Sequence, residues 1–336
     1  MENSVYIIAE IGINHEGSVE NCASLIQAAA DVGADAVKLQ TIDADSNYVV
    51  GSESYKVFKG SELTREETAN MFNLARENGL DVFTTLGDIG TAEWVEKLEP
   101  SCWKISSGLL THIPMVRHLA SLGRPLLIST GMANVDDINL AIETSKSAGN
   151  IDISLFQCTS LYPAPLDSLN LSTIGWLKEK YGYDVGFSDH SLGSDAAFLS
   201  VGAGATLLEK HFSLDPSQPG FDHKISLNIA GFKEMVERVR AAEKMMGTIQ
   251  KEVSEAVNNT RMKYLRSIVT TRSILAGERF SCENIGIKRN LPGNLGLAPK
   301  YFESIIGSIA TIDIRVNQSI RKTDIKDGQD LIMEIL

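Results

Sequence analysis

No stretch of this chain stays apolar for the roughly 18 residues a membrane-spanning helix needs, so no such helix is expected. The opening residues, MENSVYIIAEIG, carry neither the basic region nor the cleavage site of a secretory leader, and a cytoplasmic protein is expected. Cysteine is scarce. Cys22, Cys102, Cys158 and Cys282 stand far apart with no CxxC spacing, which argues against a disulfide framework or a cysteine zinc site and leaves reduced, mostly buried thiols. Positive charge is also in deficit. The 31 Lys and Arg face 43 Asp and Glu, a net charge of −12, so most of the surface repels nucleic acid and anionic membranes. An anionic ligand therefore has to be caught in a locally basic pocket.

What the chain does have is a core. With 336 residues, 43% of them hydrophobic and 22% charged, it has the composition of a soluble globular protein and the length of a barrel with a small appendage. From residue 5, short apolar, β-branched runs alternate with longer segments of helical period. Eight strand candidates follow in order: VYIIAEIGI, DAVKLQT, DVFTTL, CWKISS, PLLISTG, IDISLFQCTS, DVGFSDHS and ATLLEKHF. Each precedes a segment such as ENCASLIQAAADVG that reads as an amphipathic helix. The number predicts a (β/α)8 TIM barrel; a doubly wound open sheet competes, because a strand count does not prove closure. After NIAGFKEMVERVRAAEKMMG the alternation stops. The expected organisation is a catalytic barrel over 1–246, a linker over 247–262, and a compact β-rich domain over 263–336 whose short runs are split by turns such as AGE and PGN.

Catalytic groups of parallel barrels come from the C-terminal ends of different strands, and here polar residues collect there. The first strand ends around Glu10, Asn14 and His15, the second at Lys38 and Gln40, and the third at Thr84 and Thr85. The fourth and fifth give Lys104, Ser106, Ser107, Ser129 and Thr130; the sixth gives Thr159, Ser160 and Tyr162. The seventh ends in Ser188, Asp189 and His190, and the eighth in Glu209, Lys210 and His211. Singly, a serine there is a turn former and a lysine reaches back to water. Lys38 and Lys104, however, sit inside apolar strands, where an ammonium is costly unless it meets an anion or a polar cavity. With the hydroxyls of Thr85, Ser107, Ser129 and Ser188 they suit a small phosphate or carboxylate ligand. His190 and His211 stand 21 residues apart, one βα repeat, so their imidazoles can converge on one ion as an open, Lewis-acid type of site. Taken singly, each is as readily a hydrogen-bonded core histidine. Glu10 interrupts an apolar strand and is expected to be either salt-bridged or catalytic. His112 and His118 lie in a helical segment and carry no such signal.

The motifs AEIGINHEG, VKLQT, KISSG, ISTGM, CTSLYPAP, GFSDHS, EKHF and PGFDHKIS, in this order, resemble the sialic acid synthase family, which includes N-acetylneuraminate, legionaminic and pseudaminic acid synthases. AGERFSCENIGIKRN and GLAPKYFESIIGSIA resemble that family's C-terminal antifreeze-like (SAF) domain. The resemblance implies condensation of phosphoenolpyruvate with a 2-acetamido sugar, assisted by a divalent metal ion, Mn first with Mg or Co as alternatives, to a nine-carbon 2-keto acid and phosphate. It implies Glu10 acting on the attacking water or the tetrahedral intermediate, and His190 and His211 holding the metal. By the same carry-over Lys38, Thr85, Lys104, Ser107, Ser129, Ser160 and Ser188 bind phosphoenolpyruvate, while Gln40, Tyr162 and Asp222 face the sugar. It further implies a domain-swapped homodimer in which an arginine of the small domain, here Arg289, reaches the sugar.

Three departures stand out. KRNLPGNLG interrupts the family's continuous RPGNG pattern around Arg289. Ser160 replaces a common asparagine of the phosphoenolpyruvate pocket but can still donate one hydrogen bond. Leu109 stands where a sugar-contacting glutamate is common in the family, which suggests a less hydroxylated sugar and makes a 2,4-diacetamido-trideoxy acceptor at least as good a candidate as N-acetylmannosamine. Outside this family, the residues also admit a Schiff-base aldolase with Lys38 or Lys104 as nucleophile, or a non-enzymatic carbohydrate-binding protein.

Overall fold

The structure, a computed structural model, describes residues 4–289, 291 and 293–328. The chain divides into two compact units, Met1–Gly247 and Thr248–Leu336. In the first, eight parallel strands close into a barrel in sequence order: β1 (Tyr6–Gly12), β2 (Ala36–Thr41), β3 (Asp81–Leu86), β4 (Trp103–Ile105), β5 (Leu126–Ser129), β6 (Ile153–Cys158), β7 (Asp184–Asp189) and β8 (Leu207–His211). β1 pairs with both β2 and β8, which settles closure against the open sheet. The surrounding helices are α1 (Val19–Asp31), then α2 (Ala44–Asn47), α3 (Glu53–Gly60) and α4 (Arg65–Glu77) between β2 and β3. They continue with α5 (Ile89–Val95), α6 (Ile113–Ser121), α7 (Val135–Ser147), α8 (Thr173–Tyr181), α9 (Asp195–Gly202) and α10 (Ile229–Met246).

Local chemistry explains where these helices begin and which face they bury. Ser18 caps α1 by accepting from the Asn21 amide, and Cys22, Leu25, Ile26 and Ala29, at helical spacing, turn to the sheet. Thr64 with Glu67, and Asn134 with Asp137, form capping boxes on α4 and α7. Along the strands the period is two. Ile7, Ala9 and Ile11 face the helices, whereas Ile8 joins Ala36, Phe83, Cys102, Leu127 and Phe156 in a separate cluster that plugs the base of the barrel. Phe156 fits because Gly186 has no side chain: a Cβ there would lie 2.6 Å from the phenyl ring. The barrel interior is therefore closed below and open only at the C-terminal ends of the strands.

In the second unit α11 (Glu255–Tyr264) leads into an antiparallel pair, β9 (Arg266–Thr270) and β10 (Ile285–Arg289), packed over Ile268, Ile274, Phe280, Ile305, Ile314 and Ile320. The stretch expected as a linker is thus partly helical. Its polar residues offer no apolar stripe, but Ser254 caps the helix by accepting from the Val257 amide. All four cysteines are free, three buried and Cys282 exposed. Among the described residues no helix is long and apolar enough to cross a membrane.

Phe72, fully buried on the sheet-facing side of α4, tests this packing. Phe72→Ala is expected to lower the unfolding free energy by about 3–5 kcal/mol, read from urea denaturation followed by tryptophan fluorescence.

Candidate active site

Two residues beyond the apolar plug, seven of the eight strands change character. Ile8 gives way to Glu10, Ala36 to Lys38, Phe83 to Thr85, Cys102 to Lys104, Leu127 to Ser129, Phe156 to Cys158 and Leu207 to Glu209. All seven line a cavity of about 420 Å³ at the barrel mouth. So do Gln40, Ser107, Ser160, Tyr162, Ser188, His190, His211 and Asp222, which brings every barrel residue singled out from the sequence for catalysis or binding to one cavity. Arg289 lies on β10 of the second unit, its guanidinium 5.1 Å from the centre of the Tyr264 ring.

The charges are interlocked. Lys38 Nζ lies 2.7 Å from Glu10 Oε2 and 2.9 Å from Glu209 Oε2, and Lys104 Nζ meets the same Glu209 oxygen at 2.9 Å. Ser188 donates to Glu209 Oε1 at 2.9 Å, and Lys104 also lies 5.0 Å from the centre of the Phe156 ring. Burial alone would raise the Glu209 pKa, but the two lysines outweigh it and hold the carboxylate well below its usual range. Burial pushes the Lys38 ammonium down to about 7 against the pull of Glu209. Removing Glu209 would leave two buried ammonium groups with only Glu10 nearby, a change of about 3–5 kcal/mol.

Sequence reasoning placed Glu209 among the polar strand-end residues without giving it a role. The signal was there: it stands two residues before His211 on the same strand, so both side chains face inward. Asp189 and Lys210, by the same parity, turn outward, away from the cavity. Asn47, Tyr48 and Phe58 also border the cavity from the β2–α3 segment, and nothing in their spacing marked them.

Above the lysines are unspent donors. The hydroxyls of Thr85, Ser129 and Ser160 are buried and without a hydrogen-bond partner. Ser107 Oγ accepts from the Gly131 amide at 3.0 Å and touches Cys158 Sγ at 3.1 Å. Three buried hydroxyls left idle beside two ammonium groups form a ready-made cradle for a small anion.

On the opposite wall the His190 and His211 ring centres lie 5.6 Å apart, with the Tyr162 ring 4.4 Å from that of His190 and tilted 35° to it. His190 Nδ1 is 2.8 Å from the Thr159 carbonyl oxygen and donates to it, leaving Nε2 free. Burial lowers both histidine pKa values, His211 the further because His190 adds to the effect, so both rings are neutral. His211 Nδ1 has no hydrogen-bond partner; Asp222 Oδ2 is the nearest carboxylate oxygen, at 3.6 Å. Two neutral imidazoles with lone pairs to offer fit an open divalent-metal site, whereas a closed cage is absent: among the described residues no group of three His, Cys, Asp or Glu gathers as ligands. Gln40 donates to Glu10 at 3.3 Å, and Asp222 approaches from the loop after β8, its carboxyl raised by burial to about 7. The three side chains converge over Gly12, whose φ of +55° and missing Cβ make room for Glu10.

Comparison with known proteins agrees with this arrangement. Residues 25–251 match the NeuB family model and residues 266–326 the SAF domain model. The chain belongs to the NeuB family. Among its relatives are the spore coat polysaccharide biosynthesis protein SpsE of Bacillus subtilis, 35% identical over 96% of this chain and 93% of that protein, and the N,N'-diacetyllegionaminic acid synthase of Legionella pneumophila, 34% identical over 94% and 93%. The pseudaminic acid synthase of Campylobacter jejuni is 32% identical over 96% and 97%. The crystal structure of the B. subtilis SpsE superposes with a TM-score of 0.68 over 97% of this chain and 96% of that one. The NeuB barrel and SAF domain expected from the motifs are therefore both present.

His15, a strand-end candidate in the sequence, is buried outside the main cavity, its Nδ1 accepting from the Gly17 amide at 3.1 Å. Burial lowers its pKa to about 4. Between that value and 6.5 the unfolded chain binds more protons than the folded one, so this residue costs stability as pH falls through the window. His15→Gln is expected to flatten the loss of urea stability between pH 6.5 and pH 4 relative to the parent protein.

Proposed function

We propose that the protein condenses phosphoenolpyruvate with a 2-acetamido or 2,4-diacetamido-trideoxy hexose, giving a nine-carbon 2-keto sugar acid and phosphate. The observation that carries the reading is the anion cradle: idle Thr85, Ser129 and Ser160 hydroxyls beside the buried Lys38 and Lys104. Its size and mixed donors suit a compact ligand with one phosphate and one carboxylate. The named activities of the Legionella and Campylobacter relatives support the same product class.

In this reaction C3 of phosphoenolpyruvate bonds to the aldehyde carbon of the sugar, water adds to C2, and the C2–O bond to phosphate breaks. Lys38, Lys104, Thr85, Ser107, Ser129, Ser160 and Ser188 hold the phosphate and carboxylate, positioning C3 and stabilising the departing phosphate. Glu10, already paired with Lys38 and receiving a hydrogen bond from Gln40, takes the proton of the attacking water or steadies the tetrahedral carbon. Gln40, Tyr162 and Asp222 orient the sugar. A divalent ion, Mn first with Mg and Co as alternatives, held by His190 and His211, would supply Lewis acidity toward the sugar carbonyl when bound. The acceptor side is bordered by Leu109, Met132 and Phe221, apolar groups that suit a deoxy, acetamido-bearing sugar better than a fully hydroxylated one. On the family resemblance we also propose the swapped homodimer and the Arg289 contact with the partner's sugar.

One observation favours a second reading. The lowered Lys38 pKa is a property of Schiff-base lysines. Against it stand the two carboxylates touching that ammonium, which oppose loss of its proton.

The test is phosphate release from phosphoenolpyruvate with Mn present, comparing N-acetylmannosamine, a 2,4-diacetamido-trideoxy hexose and no sugar. Release is expected only with sugar, fastest with the diacetamido sugar, and lost on chelation. Faster release with N-acetylmannosamine would overturn the preference for the diacetamido sugar and leave the 2-acetamido hexose as the acceptor. No release with any sugar, together with a borohydride-trapped carbonyl adduct on Lys38, would replace the synthase with the aldolase.

A further inference from the structure

Asp189 and Lys210 are register partners on β7 and β8, and each directly precedes a histidine of the cavity. Their side chains turn to the outer face of the barrel, where same-face neighbours Phe187, Leu208 and Phe212 belong to the apolar layer between sheet and helices. There they meet at 2.9 Å, neither with any solvent exposure. Lys210 also donates to the Ser191 carbonyl at 2.6 Å, and the other Asp189 oxygen accepts from the Ser191 amide at 2.8 Å and hydroxyl at 2.7 Å.

An ion pair in an apolar layer is a poor source of stability, since a well-packed apolar pair of similar volume does as well or better. What an apolar pair lacks is directed bonding. Here four directed contacts bracket the backbone of His190, fastening Asp189 on one side of it and Ser191 on the other to β8 just before His211. We propose that Asp189 and Lys210 are positioning residues that fix His190 and His211 at the separation and tilt at which both imidazoles bind one divalent ion. This rests on the metal reading of the site given above. Neither residue reaches the cavity, so each acts through the histidine that follows it.

The double variant Asp189→Leu/Lys210→Met separates position from stability. Mn binding to the whole protein is followed by the electron paramagnetic resonance signal of free ion, and unfolding by Tm. The double variant is expected to unfold at or above the parental Tm, bind phosphoenolpyruvate unchanged in the absence of metal, and bind Mn about 10- to 100-fold more weakly. Lys210→Met alone is expected to lower Tm, because it leaves Asp189 buried without its counter-charge. Parental Mn affinity in a folded double variant overturns the proposal. Equal losses of Mn and phosphoenolpyruvate binding also overturn it, since that is the mark of general scaffolding. Should the double variant fail to fold, Ser191→Ala, which deletes one of the four contacts, must weaken Mn binding at unchanged Tm, and parental affinity there overturns the proposal. A parental protein that binds no Mn would instead remove the metal reading on which it rests.

Discussion

Two lysine ammonium groups inside a protein barrel have to be neutralised, and Glu209 is the group that does most of it. Its carboxylate touches Lys38 and Lys104 at 2.9 Å and takes a hydrogen bond from Ser188. Glu10 supplies the second negative charge on the other side of Lys38. The arrangement is nearly self-compensating, which lets both lysines stay charged while they line the cavity. With the lysines so held, Thr85, Ser129 and Ser160 keep unspent hydroxyls facing the same space.

The barrel supplies the geometry at little cost in sequence complexity. One apolar position on each of several strands closes the base, and a step of two residues along the same strands produces the charged and hydroxyl-bearing tier. A further step of two from Ser188 and Glu209 reaches His190 and His211, which is why the two imidazoles share one wall. The intervening residues, Asp189 and Lys210, face the helices and bind each other. Adjacent positions on one strand thus serve opposite faces: Asp189 and Lys210 build the frame, and the histidine after each builds the site.

Much of this was legible before any coordinates. Eight apolar runs separated by helical periods gave the barrel, because strand and helix periodicities differ and the repeats are regular. The inward-facing polar residues were legible because each breaks an apolar strand near its end. Less was visible where the pattern depends on long-range pairing. Glu209 was noticed as a strand-end residue, but that it neutralises lysines from two other strands follows only from closure of the barrel. Lys210 and Asp189 looked like cavity residues from their neighbours, and only strand parity with the observed facing assigns them outward. Asn47, Tyr48 and Phe58 sit on a segment without period, so no rule of spacing could bring them to the cavity. The polar stretch after α10 lacked the apolar stripe by which helices are found, so α11 was missed.

The claim on which everything functional depends is that the lysine and hydroxyl tier binds phosphoenolpyruvate. A crystal structure of the protein grown with phosphoenolpyruvate and Mn addresses it directly. Phosphate density within hydrogen-bond distance of Thr85, Ser129 or Ser160, with the ligand's charge beside Lys38 and Lys104, is the predicted result. Density for the ligand elsewhere on the barrel, with those hydroxyls still idle at saturating concentration, would contradict it.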